Sequence, residues 1–215
     1  MDPVTDNIWV FFGVAILVSL SGVMMPGPVF AAAIAKGYED KRAGIRIALG
    51  HGLVEFPLMA LIILSLGYVF KDDIVKIGIG LVGGALLIFL GGSMLRSVRA
   101  SRITDISEPK KMFPYGPFAA GAITTSANPY FFLWWATAGA LLIITAQEFG
   151  AIVVVIFAGV HWSCDLGWYY LTTYTVFRTK HLWTPTVHDI VFGVCGALMV
   201  VFGVYFMIGP ASELV

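Results

Sequence analysis

The stretch "SGVMMPGPVFAAAIA", residues 21–35, decides how this chain is read. It sits inside an apolar run covering roughly residues 8–34. Proline lacks the backbone N–H and clashes with the preceding turn, so Pro26-Gly27-Pro28 must interrupt any helix. The apolar character nevertheless continues on both sides. In hydrocarbon every unpaired backbone group is costly, and irregular backbone survives only inside protein or against a water-filled cavity. The stretch therefore predicts a membrane-spanning helix that is discontinuous, with its break turned inward. Gly27 would permit a close approach or a positive φ there. The half-helix beginning at Pro28 would present N–H groups that favour an anionic group such as a carboxylate.

The rest of the chain agrees with a membrane setting. Of 215 residues, 59% are hydrophobic and 12% charged, with a mean hydropathy of +0.88; soluble domains carry about 25% charge. Six apolar runs, at roughly 8–34, 45–69, 74–95, 117–145, 150–176 and 189–209, are each long enough to span. The expected fold class is an all-α integral membrane protein of six transmembrane helices. The longest polar stretch, 96–116, leaves no room for a soluble domain. Asp2 and Asp6 precede the first run in place of a basic n-region, so the first helix is expected to be retained. Cys164 and Cys195 both fall inside expected spans, which does not suggest a disulfide framework. With zero formal net charge and no basic patch interleaved with aromatics, nucleic acid is not an expected partner. Neither a cofactor nor an enzymatic activity is expected.

Positive residues collect in cytoplasmic loops. The first, third and fifth loops hold Lys36, Lys41, Arg42, Arg46, Arg96, Arg99, Arg102, Lys110, Lys111, Arg178 and Lys180, eleven of the thirteen Lys and Arg. The other two, Lys71 and Lys76, lie in the second loop. This asymmetry places both termini outside the cytoplasm of a multi-pass protein of the cell (plasma) membrane.

A repeat is visible along the chain. "GALLIFLG" (84–91) matches "GALMVVFG" (196–203), "HGLVE" (51–55) matches "HWSCD" (161–165), and the Pro-Gly-Pro break is matched by Asn128-Pro129. The order break, His-x-x-x-acid, Gly-Ala-Leu thus occurs twice, at offsets that grow from 101 to 110 to 112 residues. The extra residues of the second half fall mostly between its first two helices. The expected organisation is an N-terminal three-helix repeat (1–98), a cytoplasmic linker (99–116) and a C-terminal three-helix repeat (117–215). Three helices per half is an odd number, so the second copy enters the bilayer from the opposite side. Inverted repeats with breaks at matching positions mark secondary transporters, with the substrate site at the breaks. Pro26, Gly27, Pro28, Asn128 and Pro129 are accordingly the expected substrate-binding residues.

Glu55 and Asp165 lie near the centres of their spans, where an ionisable residue usually faces the interior and serves function. Residues four apart share a helix face, so His51 can meet Glu55 and His161 can meet Asp165. These four residues are the expected proton-coupling group. No resident metal is expected, although two His and two carboxylates brought together by a pseudo-twofold axis leave a divalent-cation exporter as the alternative. Tyr130, Phe131, Phe132, Trp134 and Trp135 could cover an apolar or zwitterionic substrate, but aromatics more often face lipid or neighbouring helices. A thiol–disulfide carrier would need matched cysteines, whereas Val54 stands where the repeat would match Cys164.

"MMPGPVFAAAIAKGYEDKRAGIRIALGHGLVEFPLMALIILSLG", "SANPYFFLWWATAG" and "FAGVHWSCDLGWYYL" together resemble the LysE-type (lysine exporter) translocators, over essentially the whole chain. Glu55 falls where that family usually has Asp, and Asp165 matches its acidic fifth helix. Tyr130 stands where Lys commonly follows the Asn-Pro motif, and His51 and His161 are not features of the usual amino-acid exporters. The resemblance implies export of amino acids or related small metabolites, driven by the proton gradient. One three-helix repeat would rock against the other around a fixed midplane site. The expected partners are an amino acid-like solute, protons and the lipid bilayer, with a homo-oligomer possible.

Overall fold

The computed structural model describes residues 7–64, 73–101, 113–182 and 184–212. Within them every regular element is a helix. Helix α1 (Ile8–Val23) starts at Asn7, whose side chain accepts hydrogen bonds from the Trp9 and Val10 N–H groups. Helix α2 (Pro28–Glu39) follows the interruption, with Pro28 at its first position, where the missing N–H costs nothing. The two axes differ in direction by 74°. Helix α3 (Ala43–Ile63) comes next, then α4 (Asp73–Ser101) and the short α5 (Pro117–Ser126). Helix α6 (Pro129–Glu148) carries a π-helical turn at Trp135–Gly139. Helices α7 (Ala151–Thr179) and α8 (Pro185–Ser212) complete the order.

Helices α3 and α6, and α7 with its short continuation to Leu182, are long and apolar enough to cross a membrane; α1 and α2 taken together make a fourth candidate. Helices α4 and α8 contain shorter apolar segments, Leu81–Arg96 and Asp189–Tyr205. The chain is an all-α, multi-pass membrane protein. Its polarity is arranged accordingly. Leu53, Phe56, Leu141, Ile152 and Val155 point outward and exposed, while Ser19, His51, Glu55, Thr125, His161, Asp165 and Thr173 are buried. The four-apart spacing of the buried polar groups on α3 and α7 gives each helix one inward polar line on an otherwise apolar cylinder.

Contacts between the two halves of the chain dominate the packing: α3 lies on α5 and α7, α2 on α5 and α7, α1 on α7, and α4 on α8. Glycine makes these approaches possible. A Cβ on Gly44 would collide with the Tyr169 carbonyl, one on Gly50 with the Phe118 carbonyl, and one on Gly121 with the Ile47 carbonyl. The α4/α8 seam is reciprocal. A Cβ on Gly84 would sit 2.7 Å from Gly203 O, and one on Gly203 would sit 2.7 Å from Gly84 O. Gly91 and Gly196 face each other in the same way, at 2.6 and 3.0 Å.

At one end of the bundle the first basic loop meets α7 and the segment leading into α5. Thr173 Oγ1 accepts from Gly44 N–H at 3.1 Å and lies 3.1 Å from Lys41 O, to which it can donate. Lys36 Nζ donates to Phe113 O at 2.9 Å, so the end of α2 is tied to the segment leading into α5. Asp40 receives the Arg42 N–H and pairs with Arg46. Residues 102–112 of the expected linker, with Arg102, Lys110 and Lys111, lie outside the described residues, as does Lys71.

One expectation for Gly27 needs correcting. Its φ is −157° and ψ −169°, extended backbone open to any residue. A Cβ there would find its nearest atoms, Asn128 Nδ2 and Met25 O, at 3.9 Å. Neither a positive φ nor a tight approach requires this glycine; among the described residues the positive-φ glycine is Gly150, at 110°.

Candidate functional site

The two breaks face each other across one cavity of about 70 Å³. Pro26, Gly27 and Pro28 line it from the first break and Asn128 from the second. Pro129 is buried beside them as the first residue of α6, with Gly83 of α4 seated against its ring. Asn128 caps α6, its side-chain oxygen accepting the Tyr130 N–H at 3.2 Å. That leaves the Nδ2 end toward Gly27. By contrast, no side chain caps the first turn of α2, so the break at Gly27 keeps the more open helix start.

On the far side of the cavity the four ionisable residues converge. His51 Nε2 lies 3.2 Å and His161 Nε2 3.1 Å from the same oxygen, Glu55 Oε1. Asp165 lies 3.8 Å from His51 Nε2 and 3.5 Å from His161 Nε2. The Trp135 indole N–H donates to Glu55 Oε1 at 3.3 Å. The i,i+4 pairs seen in the sequence therefore merge into one cluster, and the shortest His–carboxylate contact joins α7 to α3.

Two hydroxyls fix the imidazoles. Ser19 Oγ lies 2.6 Å from Ala15 O, and Thr125 Oγ1 lies 2.7 Å from Gly121 O. Oxygens this close need a proton between them, and only the hydroxyl can supply it. Each hydroxyl is then an acceptor toward its histidine. His161 donates through Nδ1 to Ser19 at 2.7 Å, and His51 donates through Nδ1 to Thr125 at 2.8 Å. Both neutral rings consequently turn an Nε2 lone pair onto the carboxylates. Lone pairs facing carboxylate oxygens at 3.1–3.2 Å require positive charge among them, in the form of protons or another cation.

The aromatic run after Asn128-Pro129, favoured in the sequence as lipid-facing or structural, belongs largely to this cavity. Tyr130, Phe131, Trp134 and Trp135 line it, whereas Phe132 packs into the neighbouring apolar core. Trp134 stacks on the His161 ring at 5.2 Å, and Trp135 meets it edge-on at 4.9 Å. Gly139, one turn after Trp135, has no side chain to obstruct the indole. Sequence reasoning did not single out Ser19 or Thr125. The one signal available was a hydroxyl residue in an apolar span within a turn or two of each break. Cys164 and Cys195 are free thiols.

The model of the LysE type translocator family matches residues 20–209 of this chain. The chain belongs to that family. The match covers both breaks and all four ionisable residues of the translocator's cluster, while Ser19 lies one residue before it. It makes the chain a membrane transporter, with a small molecule and the lipid bilayer as the partners the family implies. No curated protein and no solved structure matches this translocator.

Proposed function

We propose that this translocator is a secondary exporter of amino acids or related small metabolites, moving them from the cytoplasm across the plasma membrane by proton-coupled alternating access. The observation that carries the reading is that both helix breaks open onto one cavity backed by a buried His–carboxylate cluster. The open start of α2 at Gly27 and Pro28 receives the solute carboxylate, and Asn128 offers its amide N–H. Pro26 and Pro129 hold the two breaks open. Glu55 and Asp165 take the proton or the solute ammonium, and His51 and His161 share the proton between them. Tyr130 and Trp134 cover the apolar part of the solute. The cavity as it stands holds only a few waters, so a solute enters when the α4/α8 wall moves.

Two features support an inverted repeat of residues 1–98 and 117–215. Each histidine is tethered by a hydroxyl on the opposite half. The seam glycines also exchange partners as a twofold axis demands, because Gly84 and Gly91 correspond to Gly196 and Gly203. At 29 and 28 residues and about 1.5 Å per residue, α4 and α8 are long enough to complete six spans. The shared end of the basic segments then faces the cytoplasm, with both termini opposite.

The test is efflux from proteoliposomes under an imposed pH gradient, screening amino acids. Export of at least one amino acid that collapses with the gradient is expected. Failure of every amino acid, or efflux indifferent to the gradient, overturns the proposal.

A further inference from the structure

The cluster has a geometry that proton exchange does not account for. His51 Nε2 lies 3.2 Å and His161 Nε2 3.1 Å from Glu55 Oε1, while Asp165 turns Oδ1 to His51 Nε2 at 3.8 Å and Oδ2 to His161 Nε2 at 3.5 Å. Each of these separations is short enough for both atoms to reach one ion at about 2.0–2.2 Å, the distance that imidazole and carboxylate donors adopt. Glu55 is 1% exposed and Asp165 4%, yet Glu55 Oε2 and Asp165 Oδ2 have no hydrogen-bond partner. Protons on the imidazoles would serve the facing oxygens and still leave Glu55 Oε2 stranded.

The supporting groups point the same way. A histidine that binds a metal through one nitrogen normally donates its other N–H to an anchoring acceptor. Here both Nδ1 protons go to hydroxyls whose own protons are committed to backbone carbonyls. Both rings are thus held with Nε2 turned inward. His51, Glu55 and Asp165 bring one ligand atom each within 4.8 Å of one another, and His161 Nε2 stands beside them, 3.1 Å from Glu55 Oε1 and 3.5 Å from Asp165 Oδ2. Two carboxylates also balance a divalent charge, which an apolar surrounding favours.

We propose that His51, Glu55 and Asp165, with His161 beside them, form a site for a divalent transition-metal cation. The mixed nitrogen and oxygen donors select a zinc-like ion over magnesium or calcium, which take oxygen ligands. The site stands on its ligand atoms and does not depend on which solute is exported. Proton and metal compete for the same lone pairs.

The test uses untagged, chelator-stripped full-length protein in detergent, titrated with Co²⁺. The expected result is saturable binding of a single ion, with the intense visible absorption of tetrahedral Co²⁺ and a change in fluorescence from the Trp134–Trp135 pair. Zn²⁺ should displace the ion and Mg²⁺ should not. Ser19→Ala and Thr125→Ala leave the ligands in place and should weaken binding about 10–100-fold, while His181→Ala, at an exposed histidine, should leave it unchanged. No saturable binding, a weak octahedral-type spectrum, or full affinity in both hydroxyl variants overturns the proposal. Efflux that survives while Co²⁺ fails to bind defeats the metal site alone; bound Co²⁺ with no amino-acid efflux defeats the export reading alone.

Discussion

Glu55 Oε1 is the point on which three nitrogens converge, from His51, His161 and Trp135. Glu55→Gln should therefore reduce proton-driven efflux to the level of protein-free vesicles. The amide fills the same volume, and an unchanged melting temperature by fluorescence would separate lost transport from lost fold. Efflux retained in Glu55→Gln would remove the residue from the coupling group. The spacing of His51 with Glu55 and His161 with Asp165 was legible in the sequence, because four residues on a helix fix a shared face. The cross-pair of His161 with Glu55 was not, because its distance depends on how α3 and α7 pack. Ser19 and Thr125 were hidden for a related reason. A hydroxyl in an apolar helix commonly bonds its own preceding carbonyl, and that bond says nothing about what its oxygen accepts from another helix.

At the level of the helix, the breaks do different work. Asn128 caps α6 with its own oxygen, whereas Gly27 leaves α2 uncapped by any side chain. Asn128→Ala should lower stability by about 1 kcal/mol through loss of the cap and raise the solute concentration needed for half-maximal efflux. Asn128→Asp restores the capping oxygen but not the N–H donor, so it should recover stability without recovering apparent affinity; recovery of both would confine Asn128 to capping. Gly139→Ala should push the Trp135 indole away from Glu55 and blue- or red-shift its emission, and an unaltered spectrum would show the ring to be held by other contacts. Both interruptions could be read from proline chemistry alone. The sequence offset between the proposed halves is matched by a difference in helix length, α6 having 20 residues to the 12 of α2. The π-helical turn at Trp135–Gly139 has no sequence signature that marked it.

For the molecule as a whole, the glycine seam between α4 and α8 is exposed to a single substitution at either face. Gly84→Val or Gly203→Val would force a side chain against backbone where a Cβ already comes to 2.7 Å. Overpacking of this kind costs roughly 1–3 kcal/mol, so both variants should melt measurably lower in detergent, and neither doing so would mean the seam relaxes freely. The matching octapeptides are the sequence basis for expecting these two helices to correspond. They did not show that the two would pack on each other, since similarity between segments carries no information about adjacency. The halves do not behave as separate bodies with a simple interface: α1, α2 and α3 lean on α5 and α7, and α4 on α8. The same interlocking bears on how the chain can be assembled. Severed between Ser101 and Phe113, the two fragments should regain the cavity when synthesised together, while either one expressed alone would have to offer its His and carboxylate to lipid and should be cleared by the cell's proteases.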